Sequence, residues 1–577
     1  MTPGHICNPA IVFVKLRILL SLSLNSKTVK KYFKPILLLL TVFFTGAFTG
    51  RWWESKITDY DVQAAAKIMD LDFTHAEVDS LIDGLEDFRN DYRDNRSKEL
   101  ANSDSPALVF RPFPAGFQPV QKQETVVFTD PGQVKMPANK DDLAFYTVAQ
   151  LGALLRSKKI TSLELTEFFL ARLKKFDPQL HCVITLTEDL AREQAKRADR
   201  EIAQGKFRGP LHGIPYGAKD LLAQKDYKTT WGAMPYKDQM LDYDATVITK
   251  LEDAGAVLTA KLTMGALAWG DVWYGGMTRN PWDPSTGSSG SSAGSASSVS
   301  AGLLPFAIGT ETLGSIVSPS TVCGVTGLRP TFGRVSRAGA MALCWSLDKI
   351  GPICRSAEDC AMVLQAIAGP DLKDQSVIDA AFNYQTNWKN NRKLKIGYLK
   401  TAFDRNYPFH SQDSTALQTL RNMGYELVPI ELPNMGDIGF ILDAEAAAAF
   451  DDLTRSGRDD LLVRQIKRAW PNVFRQARFI PAVEYIRANR LRAKLIENMA
   501  KVFEGIDLYV NPSFASASLA ITNYTGHPSI TVPDGFRDGK PTSITFTGKL
   551  FDEGTIVAVA QAFQERTDFE GRRPGGF

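Results

Sequence analysis

An apolar run, Gly302 to Ile308, leads into a second turn of small residues, Gly309 to Ser315, in the stretch GLLPFAIGTETLGS. Ser315 follows Gly314 there. Glycine lets a turn tighten and adopt positive φ, so a hydroxyl can be exposed while several backbone N–H groups face the same point. A serine hydroxyl is a weak nucleophile until a base accepts its proton. The usual base is histidine, and the chain has six: His5, His75, His181, His212, His410 and His527. His212 and His527 stand in apolar turns next to Gly or Pro, where a hydrogen-bonded structural role is the expectation. The other candidate base is Lys219, in GIPYGAKDLL, flanked mostly by small and apolar residues. Burial disfavours the ammonium and can lower a lysine pKa by several units, to about 7. Taken by itself, Lys219 reads more readily as the partner of Asp220 or another carboxylate in a salt bridge.

These residues need elements to hold them. Gly290 to Pro330 is rich in Gly and Ser, as a linker would be, but a linker is not followed by an apolar run of strand length and a second Gly turn. Upstream, Thr161 and Glu164 form a capping box ahead of Leu165, Phe168, Phe169 and Leu173, and a charged helix is predicted from Glu188 to about Gln204. A strand-like run covers Ala256 to Ala260. Helices and short apolar runs thus alternate, the pattern of an α/β fold. Near the N-terminus, apolar positions from Val62 to Phe73 and from Val78 to Phe88 recur at helical spacing. Two amphipathic helices broken near Asp70 to Thr74 follow from that. Ser103 to Asp142 is rich in Pro, Gln and Gly and reads as an extended connection. Trp388 to Asn511 carries long helical patterns and many Arg residues, and the tail from Asp568 reads as loosely ordered.

Several blocks in order resemble the amidase signature family of serine hydrolases. They are GPLHGIPYGAKD (Gly209 to Asp220), the Gly290 to Pro330 stretch, GLRPTFGRVSRAGAM (Gly327 to Met341), DKIGPICRSAEDCAMVL (Asp348 to Leu364), NYTGHPSITVPDGF (Asn523 to Phe536) and GKLFDEGTIVAVAQAFQ (Gly548 to Gln564). The resemblance spans about Leu143 to Gln564. It implies a central twisted mixed β-sheet covered by helices on both faces, here with an N-terminal helical extension. It also implies a Ser–cis-Ser–Lys triad: Ser315 as nucleophile, Lys219 as base, and Ser291, 24 residues before the nucleophile, as bridge after a cis Gly290–Ser291 bond. Gly287-Ser288-Ser289 repeats as Gly290-Ser291-Ser292, and the spacing to Ser315 selects the second copy. Backbone N–H groups of Thr312, Leu313, Gly314 and Ser315 would hold the oxyanion. The expected reaction is hydrolysis of a small-molecule carboxylic amide, without metal or organic cofactor. The chain departs from the family pattern at Ala293-Gly294 and Leu313-Gly314, where Gly-Gly is common, and at Val317, where Arg is common.

Bulk properties narrow the partners. A net charge of +3 over 577 residues is too small to suggest nucleic acid. None of Cys182, Cys323, Cys344, Cys354 and Cys360 forms a CxxC pair, so buried thiols are expected rather than a zinc site. Residues 1–53 lack acidic side chains and contain PILLLLTVFFTGAFTG, Pro35 to Gly50, behind a basic flank. That is the chemistry of an export signal, or of a membrane anchor through residues 35–53. The catalytic domain is then expected outside the cytoplasm: periplasmic, secreted or held at a membrane. The divisions are 1–53, a helical segment 54–102, the connection 103–142 and an amidase domain 143–577, in which 388–511 shapes the substrate entrance. A homodimer is compatible with all of this. Two other readings compete with a free amidase: the glutamine-hydrolysing subunit of a tRNA amidotransferase, and a catalytically silent binding protein with the same fold.

Overall fold

The strands that carry the centre of this protein are buried along their whole length, so they read as continuous runs rather than as alternating ones. The structure is a computed structural model and describes residues 56–388 and 393–577. The chain divides into two units, one ending at Glu99 and one running from Leu100 to Phe577. The predicted export signal or anchor lies outside the described residues.

In the first unit, α1 (Asp59–Ile68) and α2 (His75–Arg96) form the expected pair, broken where the sequence places the break. Each opens on a capping box, Thr58 with Asp61 and Thr74 with Glu77.

The second unit is built on an eleven-stranded mixed sheet. In chain order its strands are β1 (Val183–Leu186), β2 (Pro215–Lys219), β3 (Val257–Leu262), β4 (Phe306–Glu311), β5 (Thr326–Arg329), β6 (Lys349–Cys354), β7 (Lys395–Leu399), β8 (Glu426–Ile430), β9 (Leu508–Pro512), β10 (Ser529–Arg537) and β11 (Lys540–Gly548). Their order across the sheet is β1-β3-β2-β4-β6-β5-β10-β11-β9-β7-β8. β2 runs parallel to β4, with Ala218 opposite Ile308, so both strands end on the same side. β6 is antiparallel to β4 and sets Lys349 opposite Glu311. Helices pack around the sheet. Among them are α3 (Ser162–Leu180), opened by the expected box of Thr161 and Glu164, and α4 (Glu188–Ala203).

α5 (Ala293–Ser300), AGSASSVS, is wholly buried although half of it is serine. Its residues are small enough to lie against β4, and its hydroxyls find acceptors. Ser295 donates to the Ile308 carbonyl, Ser297 to Arg279 and Ser300 to Cys323. Bonded in this way, a buried hydroxyl loses little on leaving water.

Three local expectations change. β3 extends to Leu262, two residues beyond the expected run, because Lys261 is buried with its amine 2.9 Å from Asp220. The 388–511 segment contributes β7, β8 and most of β9 besides its helices. Runs of five residues such as KIGYL are too short for periodicity to separate strand from helix. The tail is tied down: Phe577 packs on Phe176 at 5.2 Å between ring centres, and Arg573 pairs with Asp142 at 2.6 Å. The five cysteines of this unit are buried free thiols.

Arg334 shows how buried charge is answered. It bonds Glu553 at 2.7 Å, and its other N–H groups reach the carbonyls of Phe551, Ala380 and Ala381. Removing one partner leaves an unanswered charge in a dry place. Glu553→Ala is expected to cost about 3 kcal/mol, seen as a lower denaturant midpoint. An unchanged midpoint would show the pair to be dispensable.

Candidate active site

Lys219 is the last residue of β2, and its side chain is fully buried. The amine lies 2.7 Å from Ser291 Oγ, 2.9 Å from Thr310 Oγ1, 3.2 Å from Ser292 Oγ and 3.3 Å from the Thr310 carbonyl. Of the two serines, Ser291 is the one free to hand over a proton. The Ser292 hydroxyl already donates to Thr310 O and accepts from Thr310 N, whereas Ser291 Oγ has no other partner among the described residues.

The alternative partner for Lys219 is engaged elsewhere. Asp220 points to the other face of the strand, where it meets Lys261 and accepts from the N–H and hydroxyl of Thr230. Lys219 therefore has no carboxylate in contact among the described residues. Burial lowers its pKa to about 7, against the opposing pull of Asp348 and Glu311 at longer range. Near neutrality a fair fraction of the amine is uncharged and holds a lone pair for a proton.

The bond between Gly290 and Ser291 is cis, in the second Gly-Ser-Ser copy as expected. Glycine at 290 has a steric reason: a Cβ there would meet the Gly270 carbonyl oxygen at 1.9 Å. The turn carrying Ser315 depends on Gly314, which sits at φ +90°. Lys219 and Ser291 are fully buried, while Ser315 is 8% exposed. No hydrogen bond joins Ser291 Oγ to Ser315 Oγ among the described residues. The two loops meet instead through the Ser292 N–H, which donates to the Ser315 carbonyl at 3.2 Å.

A residue missed in the sequence holds this turn. Glu311, fully buried at the end of β4, accepts through one carboxylate oxygen from the N–H groups of Ile316 at 2.8 Å and Val317 at 3.0 Å. Its other oxygen takes Arg329 at 2.8 Å and Asn523 at 2.8 Å. Burial pushes its pKa up, but Arg329, Lys349 and the Val317 N–H together hold it down at about 2. Glu311 was visible inside GTETLGS, but its partners are 18 and 212 residues away. The N–H groups of Leu313, Gly314 and Ser315 have no acceptor among the described residues.

The two histidines are occupied. His212 Nδ1 accepts from the Arg208 N–H, and Glu201 lies 3.1 Å from its other nitrogen. His527 bonds Thr525 and stacks on Phe503 at 5.1 Å, and burial with nearby Arg329 drives its pKa to about 3.

The chain can now be set beside known proteins. Residues 164–557 match the Amidase family. The A-type component of the glutamyl-tRNA(Gln) amidotransferase of Methylococcus capsulatus is 33% identical over 479 residues, covering 74% of this chain and 99% of that one. The crystal structure of native peptide amidase from Stenotrophomonas maltophilia superposes with a TM-score of 0.68 at 32% identity, covering 76% and 99% of the two chains. The crystal structure of the A-type amidotransferase component from Thermotoga maritima shares the fold, with a TM-score of 0.63 at 24% identity. The expectation of an exported or membrane-anchored catalytic domain is corrected by these findings. The relative at 33% identity belongs to an amidotransferase of glutamyl-tRNA; the run Pro35 to Gly50 itself lies outside the described residues, among which no helix is long and apolar enough to cross a membrane.

The depressed lysine pKa has two consequences. If the neutral amine is the base, kcat/KM should rise with pH through about 7 and level off above it, in a pH–rate profile. The folded value lies below the unfolded one, so burying the protonated amine costs stability at low pH, and that cost fades as pH climbs from about 7 toward the ordinary lysine value. Lys219→Met should therefore melt above the wild type at pH 6, with the gap shrinking at pH 9.

Proposed function

The chain belongs to the amidase family, whose enzymes act on amide C–N bonds, and on that premise we propose that it hydrolyses a carboxylic amide through an acyl-enzyme on Ser315. Lys219 is the base and Ser291 carries the proton between them. The observation that bears most weight is the 2.7 Å contact of Lys219 with Ser291, both fully buried.

In this cycle Ser315 Oγ attacks the carbonyl carbon. Its proton passes to Ser291 as the Ser291 proton passes to Lys219. The carbonyl oxygen takes up negative charge facing the N–H groups of the Thr312 to Ser315 turn, each donor being worth roughly 3 kcal/mol. The C–N bond then breaks. The leaving nitrogen takes a proton from Ser291, which regains one from the Lys219 ammonium. Water repeats the sequence on the ester, releasing the acid and restoring Ser315. The 388–511 segment is proposed to shape the entrance used by the substrate, and residues 143–577 to act together as the catalytic domain.

A second reading is that the chain is the glutamine-hydrolysing subunit of a tRNA amidotransferase. The relative from Methylococcus capsulatus favours it, since 99% of that protein is matched. Both readings share the acylation chemistry and differ in what receives the nitrogen. A silent binding protein with this fold would not need a dry lysine against a free serine hydroxyl.

A fluorophosphonate probe should label the wild type and not Ser315→Ala, and the variant's amide turnover should fall by at least about a thousandfold. Labelling that survives in Ser315→Ala would move the nucleophile elsewhere. Isolated chain that turns over simple amides would favour the free amidase. Activity confined to glutamine, together with co-purifying subunits, would favour the amidotransferase.

A further inference from the structure

A second buried lysine stands on the far side of the nucleophile turn, and the cycle above leaves it without a task. Lys349, at the start of β6, is 2% exposed. Its amine donates to the carbonyl of Leu347 and, at 3.5 Å, to the carbonyl of Thr312. Burial lowers its pKa to about 7, with Arg329 and Arg492 pushing the same way and Glu311 and Asp348 opposing. Asp348 is itself committed: it accepts from the Thr312 hydroxyl and from the N–H groups of Leu343 and Cys344. Nothing in this arrangement pairs the Lys349 amine directly with a carboxylate.

The Thr312 carbonyl belongs to the peptide unit that carries the Leu313 N–H. Only Gly290–Ser291 is cis among the described residues, so this unit is trans. In a trans peptide the C=O and N–H point in opposite directions. Drawing the carbonyl toward Lys349 thus turns the Leu313 N–H to the opposite side, where it has no acceptor among the described residues. At the other end of the turn, Glu311 takes the N–H groups of Ile316 and Val317. A buried amine grips the first peptide of the turn and an anion grips the last two, leaving the N–H groups between them unclaimed.

We propose that Lys349 is a positioning residue for the reaction at Ser315, holding the Thr312–Leu313 peptide so that the Leu313 N–H faces the developing oxyanion. The proposal rests on Ser315 being the nucleophile. Lys349 touches neither substrate nor the reacting hydroxyls; it acts through the peptide.

The test compares wild type, Lys349→Met and Lys349→Gln in the full-length chain, per active site titrated with a fluorophosphonate. Methionine keeps the length and loses the donor; glutamine keeps a neutral donor. For Lys349→Met, kcat and the second-order labelling rate should fall together by roughly tenfold or more, with KM within about twofold, because a donor aimed at the transition state has been turned away. Lys349→Gln should recover part of both rates. A merely structural lysine would lower the melting temperature and the titratable fraction while leaving kcat per titrated site intact, and that result overturns the proposal. So would a loss confined to KM. Should Lys349→Met fail to fold, Lys349→Gln carries the comparison, and wild-type kcat in it would count against the reach of Lys349 to the Thr312 carbonyl being needed. Ser315→Ala in the same assay separates the two layers. If it still labels, the nucleophile is misassigned; if it is silent while Lys349→Met runs at full rate, only the role of Lys349 is wrong.

Discussion

The exclusion of water from the Lys219 amine is the constraint on which the rest of the site depends. An ammonium in bulk solvent keeps its proton until pH 10 or so and cannot serve as a base near neutrality. Inside the sheet the same group loses its hydration, and its pKa falls to about 7. The hydroxyls and carbonyl around it, from Ser291, Ser292 and Thr310, are neutral dipoles. They satisfy the amine without restoring the charge-stabilising field that a carboxylate would supply. A single carboxylate in contact would raise the pKa again and idle the base.

Much of the surrounding architecture follows from keeping carboxylates occupied. Asp220 is adjacent in sequence, yet Lys261 and Thr230 hold it on the opposite face of β2. Glu311 is answered by Arg329 and Asn523 and by two backbone N–H groups. Asp348 is answered by a hydroxyl and two N–H groups. Asp220 and Glu311 are buried and Asp348 is half-buried, and each has partners that lessen its pull on the lysine. Buried ion pairs of this kind add little net stability over apolar packing. Their value here is that they leave Lys219 with neutral neighbours alone.

The nucleophile turn is fixed by the same economy of polar groups. Between the hold of Lys349 on the Thr312 carbonyl and that of Glu311 on Ile316 and Val317, the intervening N–H groups remain without acceptors among the described residues. Gly314 and Ser315 are buried residues, whose N–H groups ordinarily find partners, while Leu313 is 42% exposed. In the proposed cycle these are the groups that would meet the oxyanion.

How much of this is legible in the sequence varies from residue to residue. The local signals are the capping box at Thr161, the two N-terminal helices, and the Gly-Ser turns that need small residues. Each depends on neighbours within a few positions, and the order of motifs points to the family and picks out Lys219, Ser291 and Ser315. Strands in the 388–511 segment are not visible there, because a five-residue buried strand and a piece of buried helix look alike in composition. The apolar N-terminal run suggests export, which composition alone does not distinguish from other uses of such a segment. The state of Lys219 was decided only by tertiary structure. Sequence leaves it between a salt bridge with Asp220 and a neutral base, and the choice falls to Lys261 on the neighbouring strand, which claims the aspartate. Desolvation and charge pairing act through space, whereas a chain read in order shows only what adjoins along the backbone.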